Sequence, residues 1–144
     1  MKRKIIEIPL QLVSIEDNGF HLMVKAKIGT KKIRLLVDTG ASKSVFDRDR
    51  LTNIIENAQF ETSEHLSTGL GTNNMESHIL MINNFKIGDI KIPEMQTVAL
   101  DLSHVNESYK MIGDPGIDGV LGSDILNTYK AVIYYKAKKL KLYS

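Results

Sequence analysis

Leu35-Leu36-Val37-Asp38-Thr39-Gly40-Ala41-Ser42 is the stretch on which the reading of this chain turns. An apolar run leads straight into an aspartate, followed by a small hydroxyl residue, a glycine and two more small residues. A strand end of this kind gives a carboxylate a rigid platform. The Thr39 hydroxyl can lock the local backbone, and Gly40 lets the main chain pass close to the acid. Ala41 and Ser42 leave room for a substrate backbone. Taken alone, Asp38-Thr39-Gly40 is a strand-to-turn connection, since Asp and Gly are both turn formers. Its surroundings decide between the two readings.

Upstream, the period is two. In Phe20–Ile28 every even position is apolar and the odd ones are polar except Met23, which predicts a half-buried strand. Ile6, Ile8, Leu10 and Leu12 alternate in the same way, with Asp17-Asn18-Gly19 as the connecting turn. Pro9 cannot donate to a ladder, so the first strand belongs at an edge. Gly29-Thr30 turns the chain into the Lys32–Val37 strand that delivers Asp38.

Downstream, Leu51, Ile54, Ile55 and Ala58 fall on one helical face, predicting a helix over Asp47–Ala58 with Asp47 as its N-cap. Ser63–Ser77 is polar and reads as a loop or hairpin. Period two returns in Ile79–Ile92, folded at Gly88-Asp89, and Met95–Leu102 predicts another strand. Ser103–Pro115 reads as irregular or briefly helical, and Ser123-Asp124-Ile125-Leu126 as a short capped helix. A hairpin closes the chain, with Ala131–Tyr135, a Lys136–Lys138 turn, then Leu140 and Leu142 alternating with lysines. The fold class is therefore mainly β: a small, closed, antiparallel barrel with one or two short helices.

Composition limits the alternatives. The chain has 144 residues, 42% hydrophobic and 25% charged, with Gly 10 and Pro 3, which is globular rather than disordered or collagen-like. That length predicts a single domain over residues 1–144. The longest apolar run is Ala131–Tyr135, far short of the ~20 residues of a membrane helix. A net charge of +2 is too weak a field to indicate a nucleic-acid partner. Cysteine is absent, which excludes disulfides and thiolate chemistry and fits a reducing compartment. With no signal-peptide pattern at the start, the reading is a soluble, cytoplasmic chain without membrane partner.

Other motifs weigh less. His21, His65, His78 and His104 show no ligand spacing, so no metal or other cofactor is expected. Gly69-Leu70-Gly71 lacks the third glycine of a nucleotide-binding loop, Asn74 standing in its place. Asn106-Glu107-Ser108 matches a glycosylation acceptor only by coincidence in a chain without secretory signal. The lysines of the terminal hairpin guard an exposed edge. Asp118 and Asp124 lack a following Thr-Gly, and Asp124 reads as a helix cap or surface acid.

Val37-Asp38-Thr39-Gly40-Ala41-Ser42 resembles the active-site motif of aspartic proteases, in particular the retropepsin-like group of bacterial and cellular type, whose chains carry one such motif. About eighty residues on, Ile117-Asp118-Gly119-Val120-Leu121-Gly122-Ser123-Asp124-Ile125-Leu126 resembles the group's second signature, aliphatic residues and a glycine before a short helix. Thr68-Gly69-Leu70-Gly71-Thr72 falls where the group places its flap, and Ala131–Tyr143 resembles its closing hairpin.

The resemblance implies an aspartic endopeptidase in which Asp38 is catalytic, with Thr39 as brace and Gly40 as close-approach residue. Ala41, Ser42, Gly69, Leu70 and Gly71 would contact a peptide or protein substrate. Such chemistry needs two carboxylates about 3 Å apart sharing one proton. One motif in one short domain supplies half of that pair, so the resemblance implies a homodimer with Asp38 of each copy at the twofold axis. Two positions depart from the viral pattern. Ser123-Asp124 stand where an arginine ties the viral dimer together, and Ser42 stands where viral members often carry an acid. The competing readings are a catalytically inactive domain on the same barrel, binding peptides or dimerising, and an unrelated β domain whose Asp-Thr-Gly is only a turn.

Overall fold

The alternation in the sequence converts into strands with one face inward. A computed structural model of the chain describes residues 4–17, 19–63 and 77–144. Within them β1 (Ile5–Pro9), β2 (Gln11–Glu16), β3 (Gly19–Ile28) and β4 (Lys31–Val37) precede the Asp38 loop. After it come β5 (Val45–Asp47), α1 (Arg48–Ile54), β6 (Glu61–Ser63) and β7 (Ser77–Ile82). Then follow β8 (Phe85–Ile87), β9 (Ile90–Ile92), β10 (Met95–Leu100) and α2 (Ser103–Met111). The chain finishes with β11 (Gly119–Leu121), α3 (Ser123–Thr128), β12 (Val132–Tyr134) and β13 (Lys139–Tyr143).

The large sheet runs β6-β7-β10-β5-β11-β4-β3-β8-β9, with β2 also on β3. It curls into a half-barrel around one core, the mainly β architecture read from the sequence. Most pairs are antiparallel, but β10 runs parallel to β5 and β11 parallel to β4. A smaller sheet, β1-β13-β12, joins the two ends of the chain. Pro9 lies in β1, the predicted edge strand, opposite Lys139.

Leu22, Val24, Ala26, Ile28, Ile33, Leu35 and Val37 face the core, joined by Phe46, Leu51, Leu140 and Leu142. A second apolar cluster gathers Val13, Met23, Leu100, Leu102, Tyr109 and Ile117. Met23, the one break in the alternation of β3, is buried there, so both faces of that strand are covered at this position, while Lys25 and Lys27 further along are exposed.

Four boundaries differ from the sequence reading. The stretch Ile6–Leu12 is two strands, because the chain passes at Leu10 from the small sheet to the large one. Helix α1 ends at Ile54, short of the predicted Ala58. Ile55 is extended and Asn57 takes φ +57, yet Ile54, Ile55 and Ala58 still pack on the core. The stretch Ile79–Ile92 breaks a second time, at Asn83-Asn84 with Asn84 at φ +59, sending β7 and β8 to different parts of the sheet. Ser103–Pro115 contains a nine-residue helix, so the described residues hold three helices rather than one or two. Its polar surface and single buried residue, Tyr109, leave little periodicity to read. Among the described residues no helix is long and apolar enough to cross a membrane.

Candidate active site

The loop carrying Asp38 is anchored at both ends by the second apolar motif. Beyond the last β4 to β11 pair, Leu121 with Val37, the Asp38 N–H donates to the Leu121 carbonyl at 3.0 Å. The parallel ladder therefore runs one bond past the strand and fixes the backbone that bears the carboxylate. Gly119, at the start of β11, lies against β5, where a Cβ would stand 2.6 Å from the Val45 carbonyl oxygen. Only a residue without a side chain fits between these strands.

Asp38 itself is half-buried, and Thr39, Gly40 and Ser42 are exposed. The Gly40 N–H donates to Asp38 Oδ1 at 2.9 Å, and the Ala41 N–H to the Asp38 carbonyl at 3.2 Å. The carboxylate is thus held against its own turn, with one oxygen engaged by the main chain.

The far side of the loop is clamped by the start of α3. Ser123 N–H donates to the Ala41 carbonyl at 2.7 Å. Ser44, fully buried, is the hub. Its hydroxyl donates to Asp124 Oδ1 at 2.7 Å and accepts the Gly122 N–H at 2.8 Å, while its own N–H donates to the Asp124 carboxylate at 3.0 Å. Thr97 of β10 donates its hydroxyl to the Ser44 carbonyl at 3.2 Å. Buried polar groups demand partners, and here the partners are one another.

Asp124 is thus neither a plain helix cap nor a surface acid. Its carboxylate turns onto the loop beside Asp38 and holds Ser44. Ser44 and Thr97 drew no functional reading from the sequence. Their signal is weak: a Ser six residues after Asp38 and an Asp two after Gly122 become partners only once the strands cross. Asp47 matches its prediction, capping α1 through Arg50 N–H at 3.1 Å and also accepting the Leu102 N–H at 2.9 Å.

Asp118, in the same motif, is structural. Its carboxylate accepts the Arg34 N–H at 2.8 Å and faces Arg50 at 3.5 Å. The Arg34 guanidinium pairs with Asp114, holding that carboxyl below its ordinary range. Of the residues singled out in the sequence, Asp38, Thr39, Gly40, Ala41 and Ser42 share this one loop. Gly69, Leu70 and Gly71 lie outside the described residues. Among the described residues no group of three or more His, Asp or Glu is arranged to hold a metal ion.

A family model described as aspartyl protease matches residues 24–125, which takes in the Asp38 loop and the Gly122 turn. The chain belongs to the aspartyl protease family. Two solved structures locate the fold within it. A retropepsin-like aspartic protease from Rickettsia conorii superimposes with a TM-score of 0.60 at 18% identity, covering 99% of this chain and 91% of that one. The retroviral protease-like domain of Ddi1 from Leishmania major superimposes with a TM-score of 0.59 at 16% identity, covering 85% and 87%. No curated protein matches. The aspartyl protease fold is thus the retropepsin-like one, as the motif pair implied.

Proposed function

We propose that this aspartyl protease family member is an endopeptidase that cleaves an extended peptide or protein segment as a homodimer. The observation that supports it most is a single, half-exposed Asp38 at a strand end, on a loop braced from both sides by the second motif. Across a twofold axis, the Asp38 carboxylates of two copies would lie about 3 Å apart and share one proton. The ionised partner takes a proton from a water whose oxygen bonds to the scissile carbonyl carbon, and the protonated partner gives its proton to the carbonyl oxygen. Collapse of the resulting gem-diol breaks the C–N bond, with a proton passing to the leaving amine.

In this scheme Thr39 braces the pair and Gly40 keeps the main chain close to the acid. Ala41, Ser42 and the Gly69-Leu70-Gly71 segment contact the substrate. The 144 residues act as one domain, and the absence of cysteine fits a cytoplasmic setting.

Peptide-library cleavage by the wild type and by Asp38→Asn, with molar mass by light scattering, tests the proposal. Dimers whose cleavage is abolished by Asp38→Asn are expected. Equal cleavage by both proteins would refute it. A monomer that cleaves nothing from acidic to neutral pH would favour a catalytically inactive peptide-binding or dimerisation module.

A further inference from the structure

Four neighbouring strands of the large sheet carry a row of like charges. Lys32 of β4 stands opposite Lys27 of β3, Lys27 opposite Lys86 of β8, and Lys86 opposite Lys91 of β9. Two positions along, Lys25 of β3 faces Arg34 of β4. Paired residues point to the same side of a sheet. The alternate residues Ala26, Ile28, Ile33, Phe85 and Ile87 are buried on the other side, so all six cations share the outward face. Like charges placed directly opposite one another destabilise a sheet. Among the described residues, Arg34 alone of the six has a carboxylate within salt-bridge distance.

Five of these cations, Lys25, Lys27, Lys32, Arg34 and Lys86, line a cavity of about 650 Å³, and Arg50 makes a sixth. That volume lies within the ~300–1,000 Å³ of small-ligand sites. Among the described residues the carboxylates lining it are Asp89 and Asp118, and Asp118 is already engaged by the Arg34 N–H and by Arg50. The two arginines are committed as well. Arg34 pairs with Asp114 and donates to the Gly116 carbonyl at 3.1 Å, and Arg50 donates to the Pro115 carbonyl at 2.7 Å. The four lysine ammonium groups remain to meet a ligand.

We propose that this cavity binds a compact anion bearing two or more phosphate groups. A lysine ammonium is a compact point charge that suits phosphate, whereas carboxylate recognition favours the planar fork of a free arginine. Neighbouring strands set the lysines at roughly 4.8 Å intervals, close enough for several ammonium groups to reach the oxygens of one compact polyanion. Carboxylates on one face of an extended acidic peptide recur at ~6.8 Å and fit the row poorly. Among the described residues no aromatic ring lines the cavity, which gives a nucleic-acid strand no surface there on which to stack its bases. Lys32 and Arg34 precede Asp38 by six and four residues on an extended strand, about 20 and 13 Å away. The site is therefore separate from the Asp38 loop and does not depend on peptidase activity.

Calorimetric titration and thermal melting of the full chain with sodium tripolyphosphate test the inference. Saturable binding is expected, with a melting temperature raised by several degrees and an affinity that falls as sodium chloride is added. Asp38→Asn and the surface control Lys110→Gln/Lys136→Gln should bind as the wild type does. Lys27→Gln/Lys86→Gln should lose affinity by about tenfold or more. Without ligand that variant should melt at or above the wild-type temperature, since it relieves repulsion in the row, which also shows that it folds. No binding at millimolar tripolyphosphate would overturn the inference, as would undiminished binding by Lys27→Gln/Lys86→Gln. Tighter binding of an acidic peptide or a single-stranded oligonucleotide than of tripolyphosphate would overturn it too.

Discussion

Gly122→Ala tests directly how tightly the Asp38 loop is held. Gly122 has φ −97 and ψ −177, a conformation any residue adopts, so alanine there meets no backbone penalty. The cost is steric. An added Cβ would lie 2.8 Å from each of the Ala41 carbonyl oxygen and the Lys43 carbonyl carbon and oxygen, where ordinary contact begins at 3.4 Å. The shortfall is 3.4 − 2.8, about 0.6 Å, against three main-chain atoms rather than a flexible side-chain tip. Nor can the loop retreat freely, because Ser123 N–H holds the Ala41 carbonyl at 2.7 Å and Asp124 holds Ser44. Overpacking of this order costs about 1–3 kcal/mol. At roughly 2–4 °C per kcal/mol for a domain near this size, the melting temperature should fall by about 2–12 °C. Gly40→Ala is the matched control, since among the described residues its Cβ would meet only Asp38 Oδ1 at 3.4 Å. It should melt close to the wild type. The assay is calorimetric or circular-dichroism melting of both variants beside the parent, with peptide cleavage as a second readout. Displacing Asp38 by half an ångström should lower kcat/KM by about tenfold, since a misplacement of about 1 Å costs ~10²-fold. A Gly122→Ala protein that melts within a degree of the wild type would show instead that the loop yields without cost.

Ser44→Ala should destabilise by about 1–3 kcal/mol in urea unfolding, because it strips the buried Gly122 N–H of its acceptor. Asp124→Asn keeps an acceptor oxygen and should cost less. Tyr109→Phe should cost about 0.5–1.5 kcal/mol, the net value of the hydrogen bond that the buried phenol makes with His21 Nδ1 at 2.6 Å. Burial pushes that phenol up to about 12, so it stays protonated as pH rises through the ordinary tyrosine range. Asp114 has its pKa lowered by Arg34, so its contribution is full above the ordinary carboxylate value near 3.8 and is lost as pH falls through the depressed folded value. Acid titration of unfolding should therefore show a shallower loss of stability below pH ~4 for Asp114→Asn than for the wild type.

What could be read from the residues alone was whatever depends on neighbours in sequence. Alternation announced β3 and β4, Pro9 marked an edge, and Asp47 marked the start of α1, because strand faces, ladders and caps are local. The Asp-Thr-Gly motif and Val120-Leu121-Gly122 marked the fold because each is a short, specific arrangement. The two parallel pairings were not legible, since no local pattern states which distant strand will lie alongside. For the same reason the Ser44, Asp124 and Thr97 cluster was missed, as its members are ordinary polar residues until three elements converge. The break at Asn83-Asn84 was hidden by continued alternation on both sides, and α2 by a surface with little apolar stripe. The lysines of β3, β4, β8 and β9 fall at the polar positions of alternating strands; only the register shows that they stand side by side.

The hydrogen bonds around Asp38 also dictate an order of assembly. Ser44 and Asp124 are 80 positions apart, as are Arg34 and Asp114, and Asp38 reaches Leu121 across 121 − 38 = 83 positions. Contacts of such long sequence separation form late, after the cost of closing the intervening chain has been met. A nascent chain that has emerged only as far as α2 carries the aspartate and the strand that delivers it, but not Leu121, Gly122 or Asp124, which hold its loop. Whatever chemistry Asp38 performs must therefore wait for the last quarter of the polypeptide, and a fragment cut short of Gly122 would be inert.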